Sequence, residues 1–268
     1  MASAALPRSS PPEPDPDTDV WVRVLGPFDV TVAGQRIARW GSLKGRGLLQ
    51  YLISHSDRPV RRELLIELFW PSHSEESGRN NLNVSLYSLR QTLQQHDQDG
   101  HHILYQDGCY LLNPELRWWI DRIEFFKALH DAHNAERASC ADAAAHAYLR
   151  AVGLYRGPLF EDDSACDWYL PEQRQLQESY LHALEQLGEL FLNLDDLTST
   201  VHAAELALTT DPCRESAHRL LMRCYARQHQ QQLVYRQLQL CVTTLRKELG
   251  VSASALTLRL FDELTTTS

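Results

Sequence analysis

The strongest constraint on this chain is that the spacing of its apolar residues changes twice within the first 115 positions. From Val20 the pattern is that of short strands. Val20, Val22 and Val24 alternate with Trp21, Arg23 and Leu25, and Gly26-Pro27 marks a turn. Phe28, Val30 and Val32 alternate before Ala33-Gly34, and Arg36 to Trp40 reads as a third strand. At about Leu43 the period becomes helical. Leu48, Leu49, Leu52 and Ile53 make one stripe, which Ser56-Asp57-Arg58-Pro59 ends. A second helix, Arg61 to Phe69, is stopped by Trp70-Pro71, and Ser72 to Ser77 reads as a loop. A third runs from about Gly78 to Gln95 with Leu82, Leu86, Leu89 and Leu93 on one face. The strand pattern then returns in His102 to Gln106 and Cys109 to Leu112, on either side of Asp107-Gly108, a strong hairpin signal.

A small sheet, three helices and a hairpin is the order of a winged helix-turn-helix. After Pro114 the pattern is helical almost throughout, over about 121–134, 139–155, 167–193, 197–209, 214–228, 230–248 and 254–264. Gly157-Pro158 and Asp211-Pro212 punctuate these helices, and Gly250 is placed as a C-terminal stop. From about residue 180 the helices come in pairs with short loops. Ala203, Ala204 and Ala207 suit close helix packing. This pairing is tetratricopeptide-like, without a clean 34-residue self-repeat. The fold class expected is therefore an α+β winged helix-turn-helix domain over 19–114, followed by an all-α tetratricopeptide-like repeat domain over 115–268. Residues 1–18, with five prolines and few large apolar side chains, read as a disordered tail.

The formal net charge of −9 is unevenly spread. Residues 19–114 hold ten basic and ten acidic residues, and 115–268 hold fifteen against twenty-two. A nucleic-acid footprint must therefore come from local clustering. No run of 18 apolar residues and no secretion signal is present, so a cytoplasmic protein with no membrane partner is expected. The six cysteines include no CxxC pair and read as reduced thiols. Cys213 with His218, and Cys224 with His229, fall on different helix faces, so neither metal nor cofactor is expected. Phosphate-loop, dinucleotide, nucleophile-elbow and zincin motifs are all missing, which argues against an enzyme. The acidic cluster Glu161-Asp162-Asp163 with Asp167 reads as an exposed loop before a helix.

The third helix is the candidate reader of bases. With Leu82 at the origin of a helical wheel, Leu86, Leu89 and Leu93 fall within about 40° of it. The opposite face then carries Asn80, Asn83, Val84, Tyr87 and Gln91, flanked by Arg90, Ser88 and Gln94. Amides can pair with adenine, and valine can touch a thymine methyl. Cations stand where helices begin: Lys44 and Arg46, then Arg58, Arg61 and Arg62, then Arg79. That placement opposes the helix dipole unless phosphate lies close.

At these residues the chain resembles the SARP class of bacterial transcriptional activators. The resemblance rests on Val22 to Phe28, Leu64 to Pro71, Asn80 to Arg90 and the wing strand Gly108 to Leu112. In the second part it rests on Tyr155 to Phe160, Asp211 to Met222 and Leu245 to Val251. It implies an OmpR-type winged helix joined to a bacterial transcriptional activation domain. It further implies binding to double-stranded promoter DNA at direct repeats, a homodimer on DNA, contact with RNA polymerase holoenzyme, and a nucleoid-associated location. Lys44, Asn80, Asn83, Tyr87, Arg90 and the wing around Gly108 fall on the family's DNA-facing positions. The chain departs from the family in carrying Asn83, Tyr87, Ser88 and Gln91 where basic residues are common. The alternative function is a protein-interaction adaptor or ligand-sensing helical-repeat protein with a degenerate winged helix.

Overall fold

The computed structural model describes residues 17–97, 100–163 and 167–266. Most of the expected N-terminal tail lies outside these residues. The chain divides into two compact units. One holds the described residues between 17 and 123 together with 160–163, and so runs past the domain boundary expected at 114/115. The other holds the described residues 124–159 and 167–266. The architecture is the expected one: an α+β winged helix followed by an all-α helical repeat.

In the first unit, β1 (Val20–Arg23), β2 (Asp29–Val32), β3 (Gln35–Arg36) and β7 (Trp118–Ile120) form a sheet in the order β3-β2-β1-β7. β1 pairs antiparallel with β2 and parallel with β7, placing Val20 opposite Val32 on one side and Trp118 on the other. Being internal, β1 is buried on both faces: Val20, Trp21 and Val22 are all in the core. β7 is absent from the sequence reading. It is too short to show a period, and its partner lies almost a hundred residues earlier. The third strand is shorter than expected. Its pairing stops at Arg36, after which Ile37 donates one more bond to the Val30 carbonyl and Trp40 stacks on Phe28.

Three helices follow: α1 (Leu43–Ser54), α2 (Arg62–Phe69) and α3 (Glu75–Gln94). Leu48, Leu49, Leu52, Ile53, Leu65, Leu82, Leu86 and Leu89 form their shared, fully buried core. The Ser42 hydroxyl caps α1 by accepting from the Gly45 N–H (3.1 Å). The helix α3 starts three residues before the expected Gly78. Ser74 is its N-cap, accepting from Ser77 N–H, and Glu75 and Glu76 fill its first turn, where carboxylates complement the dipole. That polar run reads as a loop only if the cap is overlooked. Gly78 sits where α3 crosses α2, and a Cβ there would lie 2.4 Å from Ile66 Cγ2. Glycine permits the close crossing.

A second sheet, ordered β4-β6-β5, holds β4 (Val60–Arg61), β5 (Ile103–Gln106) and β6 (Cys109–Leu112). Asp107 and Gly108 both have positive φ (49° and 79°), the conformation that a two-residue hairpin requires. Buried Asp121, 1 % exposed, accepts from the Val24 and Leu25 N–H groups, closing the end of β1. The acidic cluster is an exposed loop before the helix that begins at Leu170, as expected at Glu161, Asp162 and Asp167, and it also has a structural part. Phe160 and Glu161 donate backbone bonds to Val24 and Gly26, and the Asp162 carboxylate accepts from Phe28 N–H (2.9 Å).

The second unit contains α4 (Asp121–Arg137, from residue 124 onward), α5 (Ala141–Leu154), α6 (Leu170–Asn193), α7 (Leu197–Thr210), α8 (Glu215–Arg227), α9 (Gln231–Glu248) and α10 (Ala255–Thr266). Ala203, Ala204 and Ala207 of α7 are fully buried, as close packing demands. The Asp211–Ser216 motif is consumed in building this unit. Asp211 accepts from Cys213 N–H, and Arg214 pairs with Glu185 and Glu178. Glu215 accepts from the Ser254 N–H at the start of α10 and from Thr257 Oγ1. His218 Nε2 bonds the Pro212 carbonyl, and its Nδ1 lies 2.6 Å from Gln237 Nε2.

Candidate nucleic-acid interface

Leu82, Leu86, Leu89 and Leu93 are buried, so the face of α3 opposite them is fixed in the open. Asn80, Asn83 and Gln91 are exposed there, as are two larger side chains, Val84 (69 % exposed) and Tyr87 (64 %). Gln91 Nε2 donates to the Tyr87 hydroxyl (2.8 Å), joining side chains one helical turn apart. These five residues form one continuous uncharged surface.

The cations divide into four groups. Arg46 is turned inward: its side chain is 13 % exposed, pairs with Asp162 at 2.6 Å and lies over the Phe28 ring. This corrects the expectation that it faces phosphate. Lys44 is exposed, but its Nζ donates to the Phe69 carbonyl at the end of α2 (3.1 Å). A cation favours a helix C-terminus, so its place near the start of α1 needs no phosphate to explain it. Arg90 donates to the Ile103 carbonyl and so ties α3 to the strand that leads into the hairpin.

Arg62 and Arg79 form surface ion pairs. Arg79 meets Glu75 at 2.9 Å, one turn back on the same helix. Arg62 bonds Glu63, whose carboxyl is held below its usual range by its own backbone N–H and by that guanidinium. It also donates to the Tyr105 hydroxyl. Exposed pairs of this kind contribute about 0–1 kcal/mol, so a phosphate can compete for either arginine. Arg58 and Arg61 are exposed and form no ion pair among the described residues. Arg61 lies on β4 opposite Cys109, and the Gly108 carbonyl accepts from Arg62 N–H. The start of α2 and the tip of the hairpin thus form one basic edge.

Tyr105, 46 % exposed on the hairpin beside Arg62, is absent from the candidates drawn from the sequence. Alternation gave no signal for it, because Tyr105 shares a strand face with buried Ile103 and lies opposite buried Tyr110. The cysteine–histidine pairs considered as ligands are engaged in packing: His218 bonds Pro212 and Gln237, and Cys224 Sγ donates to the Leu197 carbonyl. Cys109, Cys140, Cys213, Cys224 and Cys241 are free thiols, while Cys166 lies outside the described residues. No helix among the described residues is long and apolar enough to cross a membrane.

Residues 120–265 match the family model for the bacterial transcriptional activator domain. Residues 41–109 match that for the C-terminal domain of transcriptional regulatory proteins. No curated protein matches the chain. Among solved structures, EmbR of Mycobacterium tuberculosis in complex with a low-affinity phosphopeptide is similar over 93 % of this chain, with a TM-score of 0.79 and 21 % identity. The present chain spans 66 % of that one. At this identity the likeness is one of fold.

Proposed function

The chain belongs to the bacterial transcriptional activator domain family, and from that membership we propose that it is a sequence-specific activator of promoters. In this reading α3 lies in the major groove, with Asn80, Asn83, Val84, Tyr87 and Gln91 toward base edges. Arg58 and Arg61 hold phosphates, Arg62 and Arg79 exchange their carboxylates for phosphates, and Lys44 stands at the margin. The hairpin tip at Gly108, with Tyr105, lies along the backbone. Arg90 positions helix and wing relative to each other. Two copies occupy a direct repeat in tandem, and the helical unit meets RNA polymerase holoenzyme. The chain acts in the cytoplasm, on the nucleoid, and carries out no catalysis.

The observation that carries this reading is the exposed stripe of α3. A valine and a tyrosine are held in solvent on a helix whose opposite side anchors a core. Contact with a base methyl or sugar gives that exposure a purpose. Titration of labelled promoter duplexes with the whole chain over a range of salt concentrations tests it. Arg58→Ala and Arg61→Ala should each weaken binding to all sequences and reduce the salt slope by about 1. Binding unchanged in both variants counts against the docking geometry.

A second reading, a protein-interaction adaptor or ligand-sensing helical repeat, is favoured by a groove of about 470 Å³ between α6, α8 and α10. Arg219, Leu220, Leu256 and Arg259 line it. Retention of the chain on heparin at low salt, lost at moderate salt, supports the activator. No retention at low salt supports the adaptor.

A further inference from the structure

The composition of the α3 stripe bears on which bases it reads, an inference that rests on the DNA-binding reading above. Between Asn80 and Gln91 every exposed side chain is an amide, an aliphatic group or a phenol. Of the arginines flanking the stripe, Arg79 pairs with Glu75 and in the reading above turns to a phosphate, while Arg90 donates to the Ile103 carbonyl. Guanine is read in the major groove chiefly by a guanidinium or ammonium group that donates to O6 and N7. The stripe presents neither. An amide instead matches the N7 acceptor and N6 donor of adenine, and exposed carbon matches the thymine methyl.

The spacing agrees with this chemistry. Asn83 and Tyr87 are four residues apart with Val84 beside them, about 6 Å along the axis at 1.5 Å per residue. That is about two base-pair steps of 3.4 Å. Gln91 gives one amide proton to the Tyr87 hydroxyl, which holds the phenol ring against the helix.

We propose that α3 reads a core of consecutive A·T pairs, Asn83 pairing with adenine while Val84 and Tyr87 pack on thymine methyl groups. Gln91 is a positioning residue that acts through Tyr87.

The test is selection of duplexes from a randomised pool by the whole chain. The selected duplex is then titrated with each core thymine replaced by uracil, which lacks the methyl. Two or more consecutive A·T pairs should be selected. Uracil at the methyl-contact position should weaken binding about three- to five-fold, the worth of one buried methyl. Val84→Ala should bind the thymine and uracil duplexes alike, and Asn83→Arg should move the preferred base from adenine to guanine. Both side chains are exposed, so these substitutions leave the core intact. A selected G·C core, or a wild-type chain indifferent to uracil, overturns the inference and leaves the proposed function standing. Enrichment of no sequence at all overturns both.

Discussion

His102 and His218 are buried at 3 % and 1 % exposure, and burial lowers the pKa of each below the ordinary 6.5. For His218 the hydrogen bonds specify the neutral ring. Its Nε2–H donates to Pro212, leaving Nδ1 to accept from Gln237. The Pro212 carbonyl, Glu215 and Asp211 pull the other way, and the desolvation of the imidazolium outweighs them. The folded ring therefore stays neutral at a pH where the unfolded ring takes a proton. Stability should be level above pH 6.5 and fall as the pH drops below it, by about 1.4 kcal/mol per pH unit for each such group at most. Glu215, whose lowered carboxyl pKa acts below 4.5, lies outside this window. Urea midpoints at pH 7.5 and 5.5 check this. The acid-induced loss should shrink in His218→Gln, and an equal loss in that variant would assign the effect elsewhere.

Among the elements, the helical unit repeats one device that the side-chain pattern conceals. The turns after α4, α6 and α8 place Ser139, Asp195 and His229 in the left-handed region, with φ of 56°, 59° and 57°. Each turn makes the same two bonds: Ser139 to Glu136 and Cys140 to Ala135, Asp195 to Leu192 and Asp196 to Phe191, His229 to Ala226 and Gln230 to Tyr225. This is the Schellman cap, usually built on glycine. The last two lie 229 − 195 = 34 residues apart, the tetratricopeptide period, although the sequence shows no clean 34-residue repeat. The repeat survives in backbone geometry while serine, aspartate and histidine replace the residue that would have revealed it. His229→Gly should raise stability by about 0.5–1 kcal/mol, read as a higher melting temperature, because glycine enters this conformation without Cβ strain. An unchanged or lower melting temperature would place the turn elsewhere in conformational space.

Across the whole molecule, legibility followed the range of the interaction. The seven helices after residue 120 were readable within a few residues of their ends, since helical periodicity and caps are local. The hairpin was equally plain, because Asp107-Gly108 specifies its own turn. What escaped was long-range: β7 beside β1, and Asp162 bonding to Phe28 and Arg46 from more than a hundred residues away. The same limit shaped the candidate site. A wheel drawn on α3 gave its exposed face, because four leucines fix its rotation. Cations counted at helix starts gave no warning that Arg46 would turn inward to Asp162, Lys44 be drawn to the end of α2, or Arg90 be bonded to Ile103. Of the cations named, Arg58 and Arg61 are exposed with no ion pair or side-chain hydrogen bond among the described residues, so the proposed recognition leans on the uncharged stripe.

Mapping genome-wide occupancy of the tagged chain tests that claim most directly, with wild type and an Asn83→Ala, Tyr87→Ala double variant compared at equal abundance. Discrete promoter peaks are expected for the wild type, and these should disappear or move in the variant. Peaks unchanged by the double substitution, or no promoter enrichment for the wild type, would contradict it.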